Sequence, residues 1–333
     1  MPEPDRPVSI VDRVRPVKAG ASVVAVHFLR DAAAFVLAEE AILLAGSDGV
    51  SRRIGVHDGG ILAAAPAGER IVTGGDDGKV MLTDAAGETR IVGSDPKQRW
   101  IDQIAVAPNG AIAFSAGKSV FVRPEKGEER TLELPSSAGG LAFAPKGFRL
   151  AIARYSGVSL WFPNASAAPE SLEWKGSHLG VTFSPDGKFI VTTMQEPMLH
   201  GWRLADSKHM RMSGYATKVR AMAWSADGEW LATSGADQLI LWPFAGKDGP
   251  LGKQPKALAP RDQRVTAVAC HPAQPVAGVG YADGMVLLVR ITDGAEILVR
   301  SPGDGEVSAL AFSARGEAFA FGTEGGAAGV LTL

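Results

Sequence analysis

The chain has 333 residues, 46% of them hydrophobic and 21% charged, with 34 Lys and Arg against 36 Asp and Glu and a formal net charge of −2. That balance supports a buried core and excludes wholesale disorder, and it gives no general attraction to nucleic acid or to an anionic membrane. One cysteine, Cys270, can form no internal disulfide and no multi-thiolate zinc site, which points to a reducing compartment.

At the N-terminus, Glu3 and Asp5 and the lack of a continuous apolar stretch do not fit a secretory leader. No run of about eighteen apolar residues follows, so no spanning helix is expected and the expected location is the cytoplasm. The richness in Ala and Gly points to a bacterial genome of high GC content.

From there the chain repeats itself. A short apolar segment, a small turn and a second apolar segment recur clearly as IAVAPNGAIAFS from Ile104, LAFAPKGFRLAIA from Leu141, VTFSPDGKFIVTT from Val181 and MAWSADGEWLATS from Met222. Weaker copies start at Val26, Ile61, Val268 and Leu310. The turn positions, Arg30, Pro66, Pro108, Pro145, Pro185, Ala226, Pro272 and Ala314, are spaced by about 41 residues on average, the length of a four-stranded blade. The segments are too short for helices and read as strands. Pro presets one turn position, and the Gly of PNG, PKG and PDG accepts the positive φ that follows.

These residues resemble the WD-repeat β-propellers, over nearly the whole chain. In copy six Asp237, Thr233 and Trp242 fall at the family's turn Asp, its Ser/Thr and its terminal Trp. Copy five keeps Thr192 and Trp202 with Glu196 for the acid. Copy two has Thr73, Asp77 and Asp84 with Thr83 for Trp, copy seven has Asp283 with Val289, and copy four keeps Trp161. The resemblance implies a buried network of His, Ser/Thr, Asp and Trp in each blade. No copy holds all four: Tyr215 stands at the His position of copy six, and His57 lies two residues too close to its turn in copy two.

The expected fold is all-β, a closed propeller forming one domain over residues 1–333, with eight four-stranded blades. Seven blades are the alternative, with the weak first copy outside the ring. Outer strands are expected from Ser51, Glu88, Glu129, Glu170, Lys208, Lys256 and Glu296. The eighth copy has none downstream, so Val8 to Val14 is expected to complete the last blade and leave no open edge. The insertion at 245–256, rich in Gly, Pro and Lys, reads as a solvated loop or a partner-binding one.

No phosphate loop, HExxH, GxSxG or paired-Cys spacing occurs, so no catalytic residue, cofactor or metal is expected and the chain does not read as an enzyme. Among the six histidines, His27 and His271 lie in or at the end of inner strands and form the pair to inspect for a channel metal. Cys270 reads as a buried inert thiol, since its neighbour His271 points to the opposite face of a strand. ITDGAEI at Ile291 and LTDAAGETRI at Leu82 are faintly similar to repeats of eight-bladed quinone-dependent dehydrogenases, whose Trp-docking motif is missing. An enzyme or ligand-binding propeller using the central channel is therefore the alternative.

In the resembled family, the face carrying fourth-to-first and second-to-third strand loops binds proteins or peptides. Here the first loop set holds Lys97, Arg99, Trp100, Lys175, His178, Lys218, Arg220, Arg261 and Arg264; the second holds Asp76, Asp77, Arg154, Tyr155, Gln195, Glu196, Asp237 and Asp283. The expected function is a non-enzymatic scaffold for protein or peptide partners. Trp100, Arg99, Arg154, Tyr155, Lys175, His178, Lys218, Arg220 and Arg264 are the candidate contacts, because aromatics and Arg dominate recognition surfaces. Neither a membrane nor nucleic acid is an expected partner.

Overall fold

Alternating apolar residues bounded by Gly, Pro and Asp fold as strands throughout the computed structural model, which describes residues 8–333. Residues 1–7, including Glu3 and Asp5 of the leader reading, lie outside the described residues. Gly110, Gly147, Gly187 and Gly228 close the turns of the four clearest copies with φ between 71° and 82°, a conformation that a Cβ disfavours. Copy one turns differently, in a two-residue loop between Leu29 and Ala32 with Arg30 at φ 55°.

Each repeat but the last contributes four antiparallel strands, and the hydrogen-bonded sheets number seven, the alternative, rather than eight. They cover residues 23–55, 61–94, 103–133, 138–213, 222–258, 265–300 and 307–332. The count falls by one because copies four and five share a six-stranded sheet. The strand Leu150–Trp161 is a hairpin in itself: it turns at Ser156 (φ 65°) and Gly157 (φ 136°), and its second half pairs with Glu170–Glu173. A Cβ on Gly157 would sit 2.1 Å from the Leu172 carbonyl oxygen, so only glycine fits. The next strand, Glu170–Phe183, then runs unbroken from the outer edge of copy four into the inner position of copy five, where 178–183 pair with Phe189–Met194.

No copy lies outside the ring. The first forms a complete sheet over 23–55, and apolar clusters join each copy to the next around the circle. The closing cluster packs Val23, Phe35 and Leu43 of the first copy with Ala309, Ala320 and Ala328 of the last. Burial between sheets is thus continuous, and it is the main favourable term holding the ring.

Closure by the N-terminus holds in kind but not in place. The outer strand of the last sheet is Arg15–Lys18, antiparallel to Ala327–Thr332, and not 8–14. Val8–Ser9 instead pairs in parallel with Glu296–Arg300, a fifth strand on the preceding sheet, and Val11–Arg13 forms a 3₁₀ turn between the two. Pro16 sits in the closing strand, an outermost position where its missing N–H breaks no ladder. The segment therefore straddles two sheets and ties them together.

Candidate interaction face

The polar groups at the starts of the inner strands divide into those that clasp a sheet and those that stay free. In copy two His57 Nδ1 donates to Asp77 Oδ1 (3.0 Å) and its Nε2 meets Thr73 Oγ1 (2.9 Å). Burial pushes the Asp77 carboxyl up, but the His57 bond and the N–H groups of Lys79 and Asp58 outweigh it and hold the carboxyl below its usual range. The register expected from counting is thus corrected: His57 reaches its partners. Copy six replaces the imidazole with a phenol. Trp242 Nε1–H donates to Tyr215 Oη (2.7 Å), Tyr215 bonds Thr233 Oγ1 (2.7 Å), and Thr233 donates to the Ile240 carbonyl (3.2 Å). The Asp237 carboxylate takes no part in this chain.

Three expected contact residues belong to clasps: His178 and Arg154 are buried, while Arg99 keeps 36% of its side chain exposed. His178, 1% exposed, bonds Thr192 Oγ1 (2.7 Å) and the Trp174 carbonyl (3.1 Å), and burial lowers its pKa. Arg154, 8% exposed, donates to Ser159 (2.8 Å), Ser171 (2.6 Å) and the Tyr155 carbonyl (2.9 Å), filling with a guanidinium the space that a His and Thr would share. Arg99 forks onto Asp95 (2.7 and 3.0 Å) and reaches Ser119 (3.1 Å); that bond holds the Asp95 carboxyl below its usual range.

The remaining candidates stay on the loop face. Trp100 is 66% and Tyr155 61% exposed, and Lys175 is exposed. Lys218, Arg220 and Arg264 come together around Glu306 in a cleft of about 260 Å³ whose floor includes Ser234. Arg264 pairs with Glu306, and Arg220 Nη1 lies 3.9 Å from the same carboxylate. Glu306 is the residue that loop-by-loop reading missed. It lies one residue before an inner strand, at the position that carries Arg264 one copy earlier.

Residues 207–242 match the family model described as "WD domain, G-beta repeat". That stretch contains Tyr215, Thr233 and Trp242, three members of the hydrogen-bonded chain in copy six. That stretch is a WD repeat, set in a β-propeller of hydrogen-bonded four-stranded units. The chain is 30% identical over 115 residues to WD repeat-containing protein 1-B of Xenopus laevis, covering 31% of this chain and 19% of that protein. It is also 30% identical over 184 residues to Centriole proteome protein 16 of Chlamydomonas reinhardtii, covering 51% of this chain and 8% of that one. The propeller thus spans less than a fifth of the length of these curated relatives. The crystal structure of the computationally designed protein Ika8, 17% identical, superposes with a TM-score of 0.75 over 98% of this chain and all of that one, a likeness of fold.

Elsewhere the propeller's titratable groups are packed as structure. His271 Nε2 donates to the Gly316 carbonyl (3.1 Å), and its Nδ1 accepts N–H bonds from Ala273 and Gln274, so it caps a turn. His27 and His200 are pushed down by burial to about 4 and about 3. His200 lies stacked on Trp174 at 4.1 Å. Among the described residues no three His, Cys, Asp or Glu side chains are grouped to hold a metal, and no helix is long and apolar enough to cross a membrane. Burial raises the Cys270 thiol to about 12, which keeps it protonated. The 245–256 insertion is pinned rather than free: Asp248 pairs with Arg203, Leu251 packs against the cluster around Phe189, and Lys256 bonds the carbonyls of Ile291 and Thr292.

Proposed function

We propose that this propeller is a non-enzymatic scaffold that binds one or more proteins or peptides in the cytoplasm through its loop face. The observation that carries the reading is the pair Trp100 and Tyr155, 66% and 61% exposed on the loop face. A large aromatic held rigidly and left in water contributes binding free energy at little entropic cost, which is the behaviour of hot-spot residues. Neither side chain is needed by the core. The clasped sheets beneath supply rigidity, so partners meet a preformed surface.

The test is capture of stoichiometric partners by the tagged chain from its host, followed by reconstitution with the purified partner. A Trp100→Ala, Tyr155→Ala variant that melts like the parent should lose the partner. Retention of every partner at unchanged affinity would refute this assignment of the face. Arg154 is unsuitable for such a test because its removal perturbs the sheet.

A further inference from the structure

We propose that the cleft at the starts of Met222–Trp224, Val265–Cys270 and Val307–Phe312 receives an anionic side chain, carboxylate or phosphomonoester, of a protein partner; the proposal rests on the scaffold reading above. Three cations, Lys218, Arg220 and Arg264, line it against one carboxylate, Glu306, an excess of two positive charges in about 260 Å³. That volume is below the range of about 300–1,000 Å³ in which drug-sized ligands bind, and suits a side chain rather than a cofactor.

Two of the three cations, Lys218 and Arg220, are not spent on close ion pairs. Glu306, its side chain 17% exposed, serves Arg264 closely and Arg220 only at 3.9 Å, while the two guanidinium side chains are 47% and 60% exposed. Lys218, half-buried, has no ion pair among the described residues. Ser234 adds an independent sign. It is 1% exposed and its Oγ accepts the N–H groups of Arg220 (3.1 Å) and Ala221 (3.0 Å), yet its hydroxyl proton has no acceptor among the described residues. Buried donors are almost always paired, so a spare one lining a cationic cleft is a place for an oxyanion. Glu306 then acts as the occupant that spaces the arginines, and a partner's anion would fill the remaining positions around them. A nucleic-acid backbone fits less well, because the basic patch is small and the chain as a whole carries a charge of −2.

Fluorescence anisotropy with labelled octaglutamate, a phosphoserine peptide, octaglutamine and a single-stranded DNA oligomer tests this directly. The expected result is binding of an acidic peptide but not of octaglutamine, weakened by about fivefold in Lys218→Gln and again in Arg220→Gln. Glu306→Gln should bind several-fold more tightly, since it removes the competing charge, and binding should weaken with salt. Neither Lys218 nor Arg220 makes a close ion pair, so folding of these variants is not at stake. Equal affinity in the Lys218→Gln, Arg220→Gln double variant, weaker binding by Glu306→Gln, competition by inorganic phosphate as strong as by peptide, or preference for the DNA would each overturn the proposal. If the acidic peptides fail while a reconstituted partner still depends on Trp100, the scaffold reading stands and the cleft assignment falls.

Discussion

Replacing Tyr215 with Phe removes one oxygen from the centre of a buried relay and little else. The ring stays in the cluster with Phe189, Val219 and Trp242, so no cavity opens. What is lost is the acceptor of Trp242 Nε1–H and the donor to Thr233 Oγ1, both at 2.7 Å. Stranding a buried indole N–H costs about 1–3 kcal/mol, and Thr233, which keeps its bond to Ile240, loses about 0.5–1 kcal/mol. The expected destabilisation is about 2–3 kcal/mol. With an unfolding entropy of about 2.1 cal/mol/K per residue over 333 residues, Tm should fall by about 3–4 °C in calorimetry. A cycle with Thr233→Val should show coupling between the two sites, because they share a bond. The relay also has a pH signature. Burial raises the phenol to about 12, above its unfolded value near 10, so its contribution is complete below about pH 10 and is lost as pH rises toward 12. The parent should therefore show an alkaline loss of stability that Tyr215→Phe lacks. A Phe variant within about 0.5 kcal/mol of the parent would refute the assignment of a working clasp to this substituted position.

Acid should weaken the fold through its buried imidazoles: His200 and His27, held at about 3 and about 4 against about 6.5 when unfolded, contribute fully above pH 6.5 and progressively less as pH falls below it. Urea titrations at pH 7 and 5 check this, and His200→Phe should flatten the dependence. Removing residues 1–18 strips both N-terminal strands and bares the Ala327–Thr332 edge, so the shortened chain should aggregate or melt without cooperativity in light scattering and circular dichroism. Arg154→Met should cost about 1–3 kcal/mol in chemical denaturation, since it leaves the buried Ser159 without its donor while the exposed Ser171 turns to water. Cys270, half-buried and with its thiol raised, should react slowly with a thiol reagent in the native protein and rapidly in guanidinium.

The all-β ring was legible because its period rests on turn chemistry: a Pro or Ala followed two residues on by Gly demands the same positive-φ turn wherever it occurs. Strand joints were less legible. Most copies leave several residues between an outer strand and the next inner one, but between copies four and five the strand pairing carries on across Gly176 (φ 108°). Glu170–Phe183 is thus one strand, which lowers the sheet count by one without removing a copy. The N-terminal closure was misplaced because 8–14, VSIVDRV, is the more apolar and longer segment, whereas 15–18, RPVK, carries only Val17 and Pro16. Pairing puts the closing strand at 15–18, and Val11–Arg13 is a turn. His57 was read as out of register because counting assumes a regular approach to the inner strand. Gly59 and Gly60 instead allow a tight bend: a Cβ on Gly59 would lie 2.0 Å from the Asp76 carboxylate.

The candidate contacts divide into clasped and free by a rule that a sequence states only in part. A cation or imidazole at the loop-face end of a sheet becomes a clasp when a small hydroxyl lies within reach on the neighbouring strands: His178 has Thr192, Arg154, across from Ala138, has Ser159 and Ser171, and Arg99 has Ser119 together with Asp95. In copy six the hydroxyl of Thr233 is already taken by Tyr215, so Lys218 and Arg220 are left over and turn outward. In copy seven Tyr215's counterpart role is absent and Tyr281 bonds the Ala259 carbonyl at 2.6 Å, which leaves Arg264 to find Glu306. The two tyrosines that replace or bypass imidazole chemistry therefore do more than hold their sheets. By satisfying the interior themselves, they release the neighbouring cations to one cleft, and a divergence in the clasps becomes a charge on the face.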